Sequence, residues 1–88
     1  MTERIDSLMK INRKSFASIV GSRLMVARSH RGLSQNDIQN ATGIDRATLS
    51  RIENGRQHIS LYQLLQILTV LEIPIEEFLR DIEVDNDN

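Results

Sequence analysis

Three glycines at near-even spacing, Gly32, Gly43 and Gly55, leave room between them for two short helices and nothing longer. Glycine takes the left-handed backbone that closes a helix, and a helix-starting residue follows each of the first two. Ser34 and Asp45 offer side-chain oxygens to the free N–H groups of a first turn. The second of these helices runs from Asp45 to Glu53, where Asn54-Gly55 ends it. Upstream, Gly32 closes a longer first helix with a stripe of Ile19, Val20, Leu24 and Ala27. Downstream, Ser60 with Gln63 forms a capping box for a fourth helix striped by Leu61, Leu64, Leu65, Leu68 and Leu71. Pro74 stops that helix and opens a short fifth. No β-branched run alternates with polar residues, so the expectation is an all-α, compact five-helix domain with no sheet. It is placed at residues 18–82, between a basic arm (1–17) with loose helical spacing at Ile5, Leu8, Met9, Asn12 and Phe16 and an acidic tail (83–88).

Composition narrows the function classes. Of 88 residues 40% are apolar and 26% charged, a globular balance. No apolar run approaches the roughly 20 residues a bilayer requires, and no export signal is seen, so a cytoplasmic protein is expected. The absence of cysteine excludes disulfides, thiolate metal sites and cysteine nucleophiles. His30 and His58 each lack a second ligand at helical spacing, so no metal and no cofactor are expected. A core this small leaves little room for a deep substrate pocket. Asp81, Glu83, Asp85 and Asp87 alternate in a tail with nothing to hold them. An enzyme is not expected.

The net charge of −1 conceals a polarity. Residues 1–31 carry seven basic and two acidic side chains, whereas residues 61–88 carry one basic and seven acidic. Such a chain can turn a cationic face to phosphates despite its slightly acidic total. The arm residues Arg4, Lys10, Arg13 and Lys14 read as solvated, with phosphate contact as the alternative.

Leu33, Ile38, Ile44, Leu49 and Ile52 are spaced to close a small core between the two short helices. Two helices joined by a glycine turn form the helix-turn-helix arrangement, whose second helix enters the DNA major groove. With Leu49 and Ile52 inward, the phase of that helix turns Arg46, Ala47 and Ser50 outward. From about Ser22 to Leu79 the chain resembles the phage-repressor and Cro-like helix-turn-helix family, also called the xenobiotic-response-element (XRE) family. The matching residues are Arg28, Gly32-Leu33-Ser34-Gln35, Ile38, Gly43-Ile44-Asp45 and Leu49-Ser50-Arg51-Ile52-Glu53-Asn54-Gly55-Arg56. Ser60-Leu61, Leu64-Leu65-Gln66-Ile67 and Leu71 extend the match.

The resemblance implies base contacts from Arg46, Ala47, Arg51 and secondarily Ser50, and phosphate contacts from Gln35, Thr48, Asn54 and Arg56. It also implies a structural ion pair between Arg28 and Glu53. Four departures bear on loop geometry: Gln39 replaces a usual alanine, Ile59 a proline, Glu72 a helix-ending glycine, and Pro74 a capping serine. Ile75, Phe78, Leu79, Ile82 and Val84 exceed what a short last helix needs, with Phe78 and Leu79 expected inside. Ile75, Ile82 and Val84 are therefore read as a dimer interface, and the acidic tail as lying away from the phosphates. The implied function is a double-stranded DNA-binding transcription regulator, a repressor acting as a homodimer on a near-palindromic operator. Two rivals are an antitoxin or restriction-modification controller with a partner protein, and a protein-interaction module that has lost DNA.

Overall fold

The computed structural model describes residues 10–84, with side chains from Asn12 onward. Arg4 and the arm positions Ile5, Leu8 and Met9 lie outside the described residues, as does the acidic tail beyond Val84. Among the described residues five helices follow one another: α1 (Arg13–His30), α2 (Gln35–Thr42), α3 (Arg46–Glu53), α4 (Leu61–Leu71) and α5 (Ile75–Phe78). Ser34 and Ser60 each complete a capping box, with Asp37 and Gln63 as reciprocal partners. The Asp37 carboxylate accepts from the Ser34 N–H at 2.7 Å, which with the Ser34 hydroxyl holds its pKa below the usual aspartate value. Asp45 caps α3 through the N–H of Ala47. Gly43 closes α2 at φ 81°, a conformation that residues with a Cβ rarely adopt.

One feature departs from the sequence expectation. A parallel pair of two-residue strands, β1 (Lys10–Ile11) and β2 (Glu83–Val84), joins the ends of the described chain, with Lys10 opposite Glu83. A two-residue strand has no room to show alternation, so its sequence carries no signal. The all-α, five-helix reading holds, and the pair corrects only the expectation that no sheet forms. Within the segment read as a possibly helical arm, α1 opens at Arg13, where Asn12 caps it by accepting from the Ser15 N–H at 2.9 Å.

The core gathers Val20 and Leu24 of α1, Ile38 of α2, Ile44 in the turn, Leu49 and Ile52 of α3, and Leu64, Ile67, Leu68 and Leu71 of α4, closed by Phe78. Leu33, Ile75 and Leu79 pack against its edge. The buried stripe of α4 includes Ile67 and excludes Leu61 and Leu65, which with Tyr62 stay exposed. This corrects the leucine stripe read from sequence: Leu64, Ile67, Leu68 and Leu71, three and four apart, share the face turned to the core. Arg23 of α1 and Arg31, the residue just past its end, donate to backbone carbonyls at the ends of the later helices. Arg23 donates to the Phe78 and Arg80 carbonyls at 2.8 Å, and Arg31 to the Leu71 carbonyl at 2.6 and 2.9 Å. Glu72 ends α4 at φ 59°, taking the left-handed position without being a glycine, and its carboxylate pairs with Arg31 at 2.7 Å.

Candidate nucleic-acid interface

The orientation of α3 is set from beneath. Leu49, Ile52 and Glu53 are buried, so Arg46, Ala47 and Arg51 are exposed, and Thr48 and Ser50 are half-exposed at the edges. Below its last turn α1 passes so closely that a Cβ on Gly21 would lie 2.0 Å from the Ile52 carbonyl oxygen. Glu53, 4% exposed, accepts two hydrogen bonds from Arg28, at 2.7 and 2.9 Å, and one from Gln35 at 3.0 Å. Arg28 also donates to the Leu33 carbonyl at 2.7 Å. The hydrogen bond to Glu53 raises the Arg28 pKa above its ordinary value. A buried carboxylate is tolerated only when its lone pairs are matched in this way. The outcome is that α1, the start of α2 and the end of α3 are fastened at one point.

On the outer side, Gln35, Asp45, Arg46, Ala47 and Ser50 line a shallow notch of about 390 Å³ between the N-terminal ends of α2 and α3. Backbone N–H groups at such ends lack intrahelical partners, and at α3 those of Arg46 and Ala47 are met by the side chains of Gln39 and Asp45. The Gln35 amide is turned toward Glu53, so its position beside the notch is held from within. Arg51 lies toward the opposite end of α3. Its Nε donates to Gln57 Oε1 at 2.9 Å and its terminal nitrogen to Thr48 Oγ1 at 3.2 Å. Arg56 is exposed in the following loop, and the Asn54 amide folds back onto the Ser50 carbonyl at 2.8 Å.

Sequence reasoning did not give the roles of two residues that shape this face. Gln39 points toward α3 and accepts the Arg46 backbone N–H at 2.6 Å, adding a second side-chain cap beside Asp45. The departure from alanine at that crossing thus supplies an acceptor for a helix end. Gln57 is the other, through its bond to Arg51. Neither has a spacing signal, because each partner lies six or seven residues away across a turn. Ile75 and Ile82 are half-buried and Val84 is exposed, at the end of the molecule formed by α5 and β2. No group of acidic or histidine side chains among the described residues is arranged to hold a metal ion.

Comparison with known proteins follows the same residues. A helix-turn-helix family model matches residues 24–78, more than half of the chain. Among solved structures, the restriction-modification controller protein C.AhdI from Aeromonas hydrophila superposes with a TM-score of 0.68 at 31% identity, covering 73% of this chain and 97% of that one. The clp gene regulator ClgR from C. glutamicum gives 0.69 at 22% identity, over 74% and 83% of the two chains. The controller protein C.Esp1396I, as a tetramer in complex with its natural 35 base-pair operator, gives 0.64 at 23% identity, over 74% and 91%. The last two likenesses concern the fold alone. No curated protein matches the sequence significantly.

Proposed function

Because the chain belongs to the helix-turn-helix family, we propose that it is a sequence-specific, double-stranded DNA-binding regulator of transcription, a repressor acting as a homodimer on a near-palindromic operator. The observation that carries this reading is the notch where Gln35, at the start of α2, meets Arg46, Ala47 and Ser50 on the outer face of α3. Arg46 and Arg51 donate to base edges, where a guanidinium fork matches guanine O6 and N7. Ala47 meets a thymine methyl, and Ser50 a base at the groove edge. Gln35, Thr48 and Arg56 hold phosphates without reading sequence. Asn54 joins them once its amide swings off Ser50. Ile75, Ile82 and Val84 form the two-fold contact, which sets two recognition helices about 34 Å apart. Binding of this kind needs donors and charge, with no catalytic group or cofactor, in the cytoplasm where the DNA is.

The test is selection of preferred sites from random duplex DNA by the purified protein. An enriched inverted repeat with half-sites one helical turn apart is expected; no enrichment with weak binding overturns sequence-specific recognition. On the selected site, Arg46→Ala is expected to cost about 1–3 kcal/mol and relax one base position. Unchanged affinity and preference would remove Arg46 from the readout. A narrower reading, a controller of a restriction-modification operon, is favoured by the 31% identity to C.AhdI over nearly all of that protein. It requires that the selected sequence occur upstream of restriction-modification genes beside the chain's own gene.

A further inference from the structure

A second cationic feature adjoins the face of α3. Arg13, Lys14 and Ala17 of α1 stand across a notch of about 340 Å³ from Gly55, Arg56, Gln57 and His58, in the loop that leaves α3. The loop is held against the helix. Phe16 and His58 stack with ring centroids 6.2 Å apart and planes 22° from parallel. A Cβ on Gly55 would come within 2.6 Å of Ser18 Oγ, so the loop backbone lies directly on α1. Arg13, Lys14, Arg56 and His58 are all exposed. The first turn of α1 contains no acidic residue, and no carboxylate lines the notch. Among the described residues the ion pairs engage Arg28 and Arg31, not these.

Concentrating positive charge around one opening with no carboxylate opposite stores repulsion that an anion relieves. Position selects the anion. Gln57 forms a wall of this notch and also accepts from Arg51, so the notch continues directly from the end of α3. The family match begins at Leu24, which leaves the first turns of α1 outside it.

We propose that this notch is a DNA-backbone site, in which Arg13 and Lys14, together with Arg56, hold phosphates flanking the bases read by α3 on the same duplex. The proposal rests on the reading of α3 as the DNA-reading helix. These contacts fix the register of the protein and widen its footprint beyond the half-site, and carry no sequence preference.

The experiment measures affinity of the full chain for a duplex of the selected sequence, and for a scrambled duplex of equal length, across a range of salt. Arg13→Ala/Lys14→Ala is expected to flatten the plot of log affinity against log salt by about 2 per bound subunit, so by about 4 for the proposed dimer on its operator, at roughly 0.9 per phosphate contact. Affinity for both duplexes falls by the same factor, with sequence preference unchanged. The charge-keeping pair Arg13→Lys/Lys14→Arg restores the slope. Trimming the flanking base pairs brings the wild type down to the level of the alanine variant, which itself loses nothing more. An alanine variant with the slope and flank dependence of the wild type overturns the notch alone. Wild-type protein that binds neither duplex overturns the reading of α3 and this proposal with it.

Discussion

At the scale of single residues, Arg51 shows how neighbours determine what a side chain can recognise. A free arginine loses up to roughly 2 kcal/mol of rotamer freedom when it is fixed. Gln57 and Thr48 already hold this one from two sides, at 2.9 and 3.2 Å. On the proposed reading, Gln57→Ala lowers affinity for the preferred site by about 0.5–1.5 kcal/mol. It also blurs the same base position that Arg51→Ala blurs, while Gln57→Glu, which keeps the acceptor, does not. Competition with duplexes substituted one base at a time measures this. A Gln57→Ala profile identical to wild type would mean that Arg51 orders itself. The outward placement of Arg46, Ala47 and Ser50 was legible because helical phase fixes which residues sit opposite Leu49 and Ile52, whereas Arg51 entered only through the resemblance. The roles of Gln57 and Gln39 were not legible, since long amides choose partners only after the turns have closed.

Secondary elements show a similar division. Helix ends were readable because caps act through bonds to residues two to four positions away, which is why Ser34, Asp45 and Ser60 could be assigned from sequence. What passes between elements was hidden. Gly21 sits in mid-helix, where glycine ordinarily weakens a helix by about 1 kcal/mol relative to alanine. Its purpose is visible only once α1 lies against the Ile52 carbonyl. Gly21→Ala gains that propensity but drives a methyl into backbone that no rotamer change can relieve. Overpacking costs about 1–3 kcal/mol in cores with some give, so the net effect is a loss of stability and a lower melting temperature. A variant that melts at or above the wild-type temperature would show that α1 and α3 separate freely. Glu72 is the opposite case: its left-handed backbone falls where the resemblance calls for glycine, and the pairing with Arg31 partly offsets the strain.

For the molecule as a whole, the charge polarity read along the chain does not become two separated poles. The parallel strand pair sets Glu83, from the acidic segment, opposite Lys10, from the basic one. The proposed two-fold contact lies at this end, where Val84 remains 49% exposed. Val84→Asp is expected to give a monomer in sedimentation that still binds a single half-site but loses the inverted repeat. A variant that stays dimeric would move the interface elsewhere, and Leu61, Tyr62 and Leu65 on α4 are further exposed apolar side chains. The strand pair also has a kinetic meaning. Pairing Lys10 with Glu83 closes a loop through nearly all the described chain, whereas helix turns and caps form between near neighbours. With two residues on each side it gains few hydrogen bonds for that closure, so it is expected to form late and to exchange its amides well before those of Leu24, Ile52 and Leu71 in the buried core, which hydrogen exchange checks. The clasp therefore breathes on its own clock, and it lies immediately before the turn of α1 that carries Arg13 and Lys14.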